Sequence, residues 1–215
     1  MHRQQITIID YGVGNLLSVQ RGLEKCNAEV SVSSDPDFIL TSQKIVLPGV
    51  GAFPKAMKAL SDLKLDIVIK DFAKSDRPLL AICLGMQLLM DESYEFGSTP
   101  GLGLVSGTVK HIMSESEEHE VVKVPHIGWT GLYPSAEKEN WKNSILQNVT
   151  PGDSTYFVHS YMVQPTDSEN LLAHAIYGGM NIPAVISKNQ IIGCQFHPEK
   201  SGGVGLKILE SFVSS

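Results

Sequence analysis

The chain has 215 residues, 42% of them hydrophobic, with 17 basic against 23 acidic side chains and a formal net charge of −6. That length suits one domain, residues 1–215, with a substantial core, and the acidic balance argues against a general nucleic-acid surface. No stretch is long and apolar enough to span a bilayer, no export signal is visible, and three cysteines without a close pair suggest neither a disulfide framework nor a zinc site. A cytoplasmic protein is therefore expected, with no metal, no cofactor, and Cys26 and Cys194 as core thiols.

The first half alternates strand and helix. Residues 6–10 read as a strand, and 15–25 as a helix with Leu16, Val19 and Leu23 on one face. Residues 29–32 and 44–48 read as strands, and 53–60 and 66–74 as helices. The apolar run Leu79 to Ile82 follows Pro78 and suits a strand covered on both faces, and Gly85 then opens a helical pattern. From Gly101 the texture changes. Residues 101–113, 121–124, 129–133 and 155–163 read as strands. Residues 184–187 and 190–196 read as a hairpin turned at Lys188-Asn189, followed by a helix over 204–213. Segments 114–120 and 135–143 read as polar surface loops. The expectation is an α/β fold: a central, mostly parallel or mixed sheet flanked by helices, with additional antiparallel strands in the second half.

Cys83 carries the first chemical signal. A residue on a tight strand-to-helix turn is held in a strained conformation with its side chain exposed. Ala81 and Gly85 are small enough to flank it, and a helix N-terminus behind it favours a thiolate. A cysteine in an apolar segment is also an ordinary core residue. The segment Gly193-Cys194-Gln195-Phe196-His197-Pro198-Glu199 tips the balance. His197 is placed to take the thiol proton. Glu199, two residues on, would share its side in an extended segment and orient the ring. Together the two segments predict a Cys-His-Glu triad.

Other segments carry weaker signals. Pro48-Gly49-Val50-Gly51-Ala52 lies between a strand and a helix. It reads either as an ordinary turn or as an oxyanion hole in which the Val50 or Gly51 amide acts with that of Leu84. Asp10-Tyr11-Gly12-Val13-Gly14-Asn15-Leu16 fails the nucleotide-loop pattern, because Leu17 stands where a third glycine is needed. Trp129 reads as a core residue or as an interface anchor. His159-Ser160-Tyr161 reads as structural polar residues or as the lining of a small polar pocket.

With these motifs in hand, the chain resembles the class I, triad-type glutamine amidotransferases, and within them the glutaminase subunits of imidazole glycerol phosphate synthase. The resemblance spans essentially the full length. It rests on Ile-Asp-Tyr-Gly-Val-Gly-Asn-Leu at 9–16, Leu-Pro-Gly-Val-Gly-Ala-Phe at 47–53 and Ile-Cys-Leu-Gly-Met-Gln at 82–87. It rests also on Val-Pro-His-Ile-Gly-Trp at 124–129, Tyr-Phe-Val-His-Ser-Tyr at 156–161 and Gln-Phe-His-Pro-Glu-Lys-Ser at 195–201. The resemblance implies a thioester formed by Cys83 on the glutamine side chain, with His197 moving protons and Glu199 orienting it. It implies an oxyanion hole at Val50, Gly51 and Leu84, and a glutamine pocket at Gly49, Gln87, His159, Ser160 and Tyr161. It implies that ammonia passes to a separate barrel-fold cyclase subunit making imidazole glycerol phosphate and AICAR, with Asn15, Pro125 and Trp129 facing that partner in a heterodimer. The glycines of the 49–51 run would let the oxyanion peptide reorient when the partner binds.

Two positions depart from the family pattern: Thr130 stands where asparagine is frequent, and Ala81 where glycine is commoner. Three other readings share parts of this evidence. Paralogues supplying ammonia to sugar-amidating enzymes of surface polysaccharide synthesis would show the same catalytic motifs. A decayed, non-catalytic scaffold is opposed by the intact Cys83, His197, Glu199 and Gln87. A cysteine peptide hydrolase is opposed by the glutamine-pocket motifs.

Overall fold

The computed structural model describes residues 3–113, 122–136 and 140–215. The loop expected at 114–120, residue 121 of the expected strand, and 137–139 lie outside the described residues.

Thirteen strands and six helices follow one another among the described residues. The first half runs β1 (Gln5–Ile9), α1 (Leu16–Lys25), β2 (Glu29–Ser33), α2 (Pro36–Thr41) and β3 (Lys44–Gly49). It continues with α3 (Phe53–Asp62), α4 (Leu65–Ala73), β4 (Leu79–Cys83) and α5 (Leu84–Leu88). The second half holds β5 (Glu92–Ser93), β6 (Thr99–Pro100), β7 (Gly107–His111), β8 (His126–Pro134), β9 (Ser154–His159) and β10 (Tyr161–Pro165). Then come β11 (Leu171–Tyr177), β12 (Met180–Lys188), β13 (Ile191–Cys194) and α6 (Gly202–Ser214).

Nine strands form one sheet in the order β2-β1-β3-β4-β13-β12-β11-β8-β9. The pairs from β2 to β13 are parallel, and those from β13 to β9 are antiparallel. Strands β10, β7, β5 and β6 make a smaller sheet. The α/β architecture read from the sequence is the one observed.

Period-two alternation sorts the parallel strands between two cores. Ile6, Ile8, Val46, Leu80 and Ile82 pack with Val19 and Leu23 of α1 and with Ile208, Leu209 and Phe212 of α6. Ile9, Ile45, Leu47, Leu79 and Ala81 face the other way, onto Phe53, Leu60, Ile69 and Phe72 of α3 and α4. Buried Lys44 donates to the Phe212 and Val213 carbonyls at 2.8 and 2.9 Å, satisfying acceptors at the end of α6.

Several expectations are corrected. No strand runs over 122–124; Val122 is buried against Gly178, and Pro125 brings no amide donor to a ladder. The strand expected over 101–113 is confined to Gly107–His111. The amides of Gly101 to Val105 are spent instead on carbonyls of residues 88 to 91, where α5 has ended. The strand expected over 155–163 breaks at Ser160, where the chain passes from the large sheet to the small one. Helix α5 has only five residues. Helix α2 was not foreseen, although Asp35 caps the Phe38 amide at 2.8 Å and Pro36 sits in the first turn. Strand β11 was not foreseen either.

Candidate active site

At the carboxyl ends of the parallel strands lies a pocket of about 450 Å³, the usual place for a site in such sheets. Cys83 sits at its base with φ 55° and ψ −113°, a conformation that a non-glycine residue rarely holds. Steric exclusion explains how it is held. A Cβ at Gly85 would collide with the Leu47 carbonyl oxygen. One at Gly49 would lie 2.8 Å from both the Gly85 nitrogen and the Tyr11 hydroxyl. These glycines let β3, β4 and α5 approach closely enough to fix the elbow. Gly49 pairs with Cys83 across β3 and β4, and Tyr11 donates to the Pro48 carbonyl at 2.8 Å.

His197 follows β13, which lies beside β4. Its Nδ1 donates to Glu199 Oε1 at 2.8 Å, which leaves Nε2 for Cys83. Both side chains are almost fully buried. The pair arises differently from the expected extended segment: residues 198–200 form a 3₁₀ turn that folds Glu199 back. That turn is tied down on both sides. Ser201 Oγ donates to the His197 carbonyl at 2.7 Å and accepts from the Tyr156 amide at 3.0 Å. The His197 amide in turn donates to the Tyr156 carbonyl at 3.0 Å. Burial pulls the His197 pKa down, but the bonds to Cys83 and Glu199 outweigh it and hold the value raised to about 9. An imidazolium beside a sulfur favours the thiolate, which is the nucleophile.

The pocket brings most of the sequence candidates together: Val50, Gly51, Cys83, Leu84, Gln87, Pro125, His159, Ser160, Tyr161 and His197 all line it. Gly51 has φ +91° with open space around it, so it can hold its peptide in a turned orientation. Gly49 is confined by its close contacts, so the conformational freedom expected of the whole 49–51 run belongs to Gly51. Gln87 donates to the Tyr161 carbonyl at 2.9 Å and to Gln195 Oε1 at 3.0 Å. His159 lines the wall, but both of its ring nitrogens are engaged by protein, at the Tyr161 carbonyl and at His126. Of the expected partner-facing residues, Asn15 is exposed and caps α1 by accepting from the Ser18 amide. Pro125 is exposed at the pocket wall, and Trp129 is 57% exposed.

Three lining or supporting residues were missed. Gln195 is fully buried with its amide nitrogen 3.9 Å from the Cys83 sulfur. Lys200 lies exposed at the pocket edge. Glu95 also lines the pocket, and its Oε2 accepts from the Phe53 amide at the start of α3 at 2.7 Å. Gln195 was legible as part of the motif that ends in the glutamate. Glu95 lies 42 positions from the amide it caps, and no local pattern announces it.

A strained cysteine, a histidine beside it and a glutamate behind that histidine, at the parallel half of a mixed sheet, describe a nucleophilic hydrolase of triad type. The family model for glutamine amidotransferase class-I matches residues 7–214. The chain is 47% identical over 208 residues to the imidazole glycerol phosphate synthase subunit HisH 1 of Legionella pneumophila (strain Lens), covering 97% of this chain and 98% of that one. It is 47% identical over 211 residues to the HisH subunit of Methanosarcina acetivorans, covering 98% of each. Among solved structures, PurLQS from Thermotoga maritima shares the fold with a TM-score of 0.73 and 18% identity, over 99% of both chains. The chain belongs to the class I glutamine amidotransferase family, in the branch of the HisH subunits of imidazole glycerol phosphate synthase.

Proposed function

We propose that residues 1–215 act as one glutaminase domain that releases ammonia from glutamine for a cyclase subunit of imidazole glycerol phosphate synthase, in histidine biosynthesis in the cytoplasm. The observation that carries the chemistry is the buried line from Cys83 through His197 to Glu199 at the base of the pocket. The HisH relatives, matched along nearly their whole length, support the cyclase as client. The sugar-amidating client has no observation on its side. Among the described residues no helix is long and apolar enough to cross a membrane.

In this reading the Cys83 thiolate attacks the side-chain carboxamide carbon, and the carbonyl becomes an oxyanion facing the amides of Val50 or Gly51 and Leu84. His197 gives its proton to the nitrogen, ammonia leaves, and a glutamyl thioester remains. His197 then takes a proton from water, which attacks the thioester and frees glutamate and Cys83. Glu199 keeps the His197 ring in one orientation and stabilises its charged form. Glu95 supplies a carboxylate suited to the substrate α-ammonium group, and Gln87 with Ser160 and Tyr161 supplies polar groups for its amino-acid end. Asn15, Pro125 and Trp129 belong to the cyclase-facing rim.

The test is glutamate release by the chain alone and with the cyclase subunit of the same organism and its nucleotide ligand. Cys83→Ala is expected to abolish glutamine use in the complex while ammonia-dependent synthesis continues. Glutamate release that survives Cys83→Ala would refute the mechanism.

A further inference from the structure

Behind the pocket wall runs a chain of hydrogen bonds that the proposed reaction does not use. Thr130 Oγ1 lies 2.8 Å from His126 Nε2, and His126 Nδ1 lies 3.1 Å from His159 Nε2. His159 Nδ1 lies 2.8 Å from the Tyr161 carbonyl, which also accepts from Gln87 Nε2. The path continues from Gln87 to Gln195 and ends at the Cys83 sulfur. Strand pairing creates it, because His126 of β8 stands opposite His159 of β9.

Acceptor chemistry fixes the direction of every proton in this path. A carbonyl cannot donate, so the His159 proton sits on Nδ1 and its Nε2 lone pair accepts. His126 must then donate through Nδ1, and its Nε2 accepts from the Thr130 hydroxyl. This pattern needs both rings neutral. Burial supplies that: it lowers the pKa of each to about 4, at His159 against the raising effect of the bond its Nδ1 donates to the Tyr161 carbonyl. The His126 ring is also clamped, stacked 3.9 Å from the Tyr177 ring and 4.7 Å from the Phe157 ring. An imidazole with both nitrogens committed and both faces covered has one orientation.

We propose that Thr130, His126 and His159 are positioning residues: a relay that sets the Tyr161 carbonyl and the Gln87 carboxamide, and through them the affinity of the pocket for glutamine, from the strand that carries exposed Trp129. The inference deepens the glutaminase reading and rests on it. It places Thr130 at the head of the relay, and it gives His159 a supporting role in place of direct contact with substrate.

The experiment uses the complex of the chain with its cyclase subunit. His126→Phe keeps the stack on Phe157 and Tyr177 and removes both ring hydrogen bonds. The glutamine KM is expected to rise about tenfold, since a buried group is left unsatisfied beside the pocket. The rate at saturating glutamine stays within about threefold, and alkylation of Cys83 by iodoacetamide, which needs no amino-acid subsite, is unchanged. Thr130→Val is expected to raise KM by a smaller factor, and Thr130→Ser to restore it. A His126→Phe enzyme with wild-type KM, or one that loses turnover with KM unchanged, overturns the relay while the glutaminase reading stands. If His126→Phe does not fold, equal KM values for Thr130→Val and Thr130→Ser overturn it. A wild-type complex that releases no glutamate overturns both.

Discussion

In the parallel half of the sheet Cys83 is held by what cannot fit, and in the antiparallel half the facing wall is held by what is bonded. Around the elbow, β3, β4 and α5 approach through Gly49 and Gly85, where a single added methyl group meets backbone. Across the pocket, His159 at the end of β9 and Tyr161 of β10 are placed by directed hydrogen bonds, which reach back to Gln87 on α5 and from there to Gln195 after β13. Steric exclusion tolerates no adjustment, because backbone cannot move aside. A hydrogen-bonded wall can shift by one partner at a time, which suits a surface that must admit a substrate. His197 sits at the junction, on the loop that follows the strand shared by the two halves.

The largest effect is expected where the steric half is broken. Gly85→Ala drives a Cβ into the Leu47 carbonyl. It is expected to cost more than about 4 kcal/mol and to yield little folded protein. Thermal unfolding checks it, and a melting temperature within about 2 °C of wild type would show that the elbow is not sterically fixed.

The next effect tests the junction. His197 must hold a proton to deliver to the departing nitrogen, and its pKa is raised to about 9. Below that value the imidazolium is present; above it the proton is lost before attack. The initial rate of glutamate release at saturating glutamine is therefore expected to fall about tenfold per pH unit above roughly pH 9. A rate that stays flat to pH 10.5 in protein still folded by circular dichroism would remove His197 from the acid role.

The two halves also differ in how plainly the sequence announces them. The elbow is local: an apolar run, a cysteine and a forced glycine all fall between Leu79 and Gly85, and the unbroken run identifies the strand. The His197–Glu199 pair is legible for the same reason, although a 3₁₀ turn, not an extended chain, brings the two together. The bonded wall is not local. His126 and His159 meet only because β8 and β9 pair in one register, and each alone resembles an ordinary polar residue. Strand β11, Leu-Leu-Ala-His-Ala-Ile-Tyr, lacks the strict alternation that marks a half-buried strand, because its register against β12 shifts between Leu171 and His174 and puts Leu172 and Ala173 both in the core. Glu95, in the link between β5 and β6, could be assigned no role because its partner amide lies at the start of α3, far away in the chain.

The smallest effect concerns the stability of the bonded wall in acid. His126 and His159 titrate near 4 in the folded chain and near 6.5 in an unfolded one. Between those values the unfolded chain binds more protons, so their contribution is complete above about pH 6.5 and is lost as the pH falls towards 4. Carboxylates titrate in part of the same range, and His197, which faces His159, carries its own charge there. The wild-type slope alone therefore does not isolate the pair. Comparison with His126→Phe does, because that variant removes one of the two protons taken up on unfolding. Its unfolding free energy, from urea titrations at pH 6.0, 5.5 and 5.0, is expected to fall less steeply than that of wild type. The difference is at most about 1.4 kcal/mol per pH unit, the value for one proton. Parallel slopes would mean that His126 exchanges no net proton on unfolding, and that its ring is not held neutral in the folded wall.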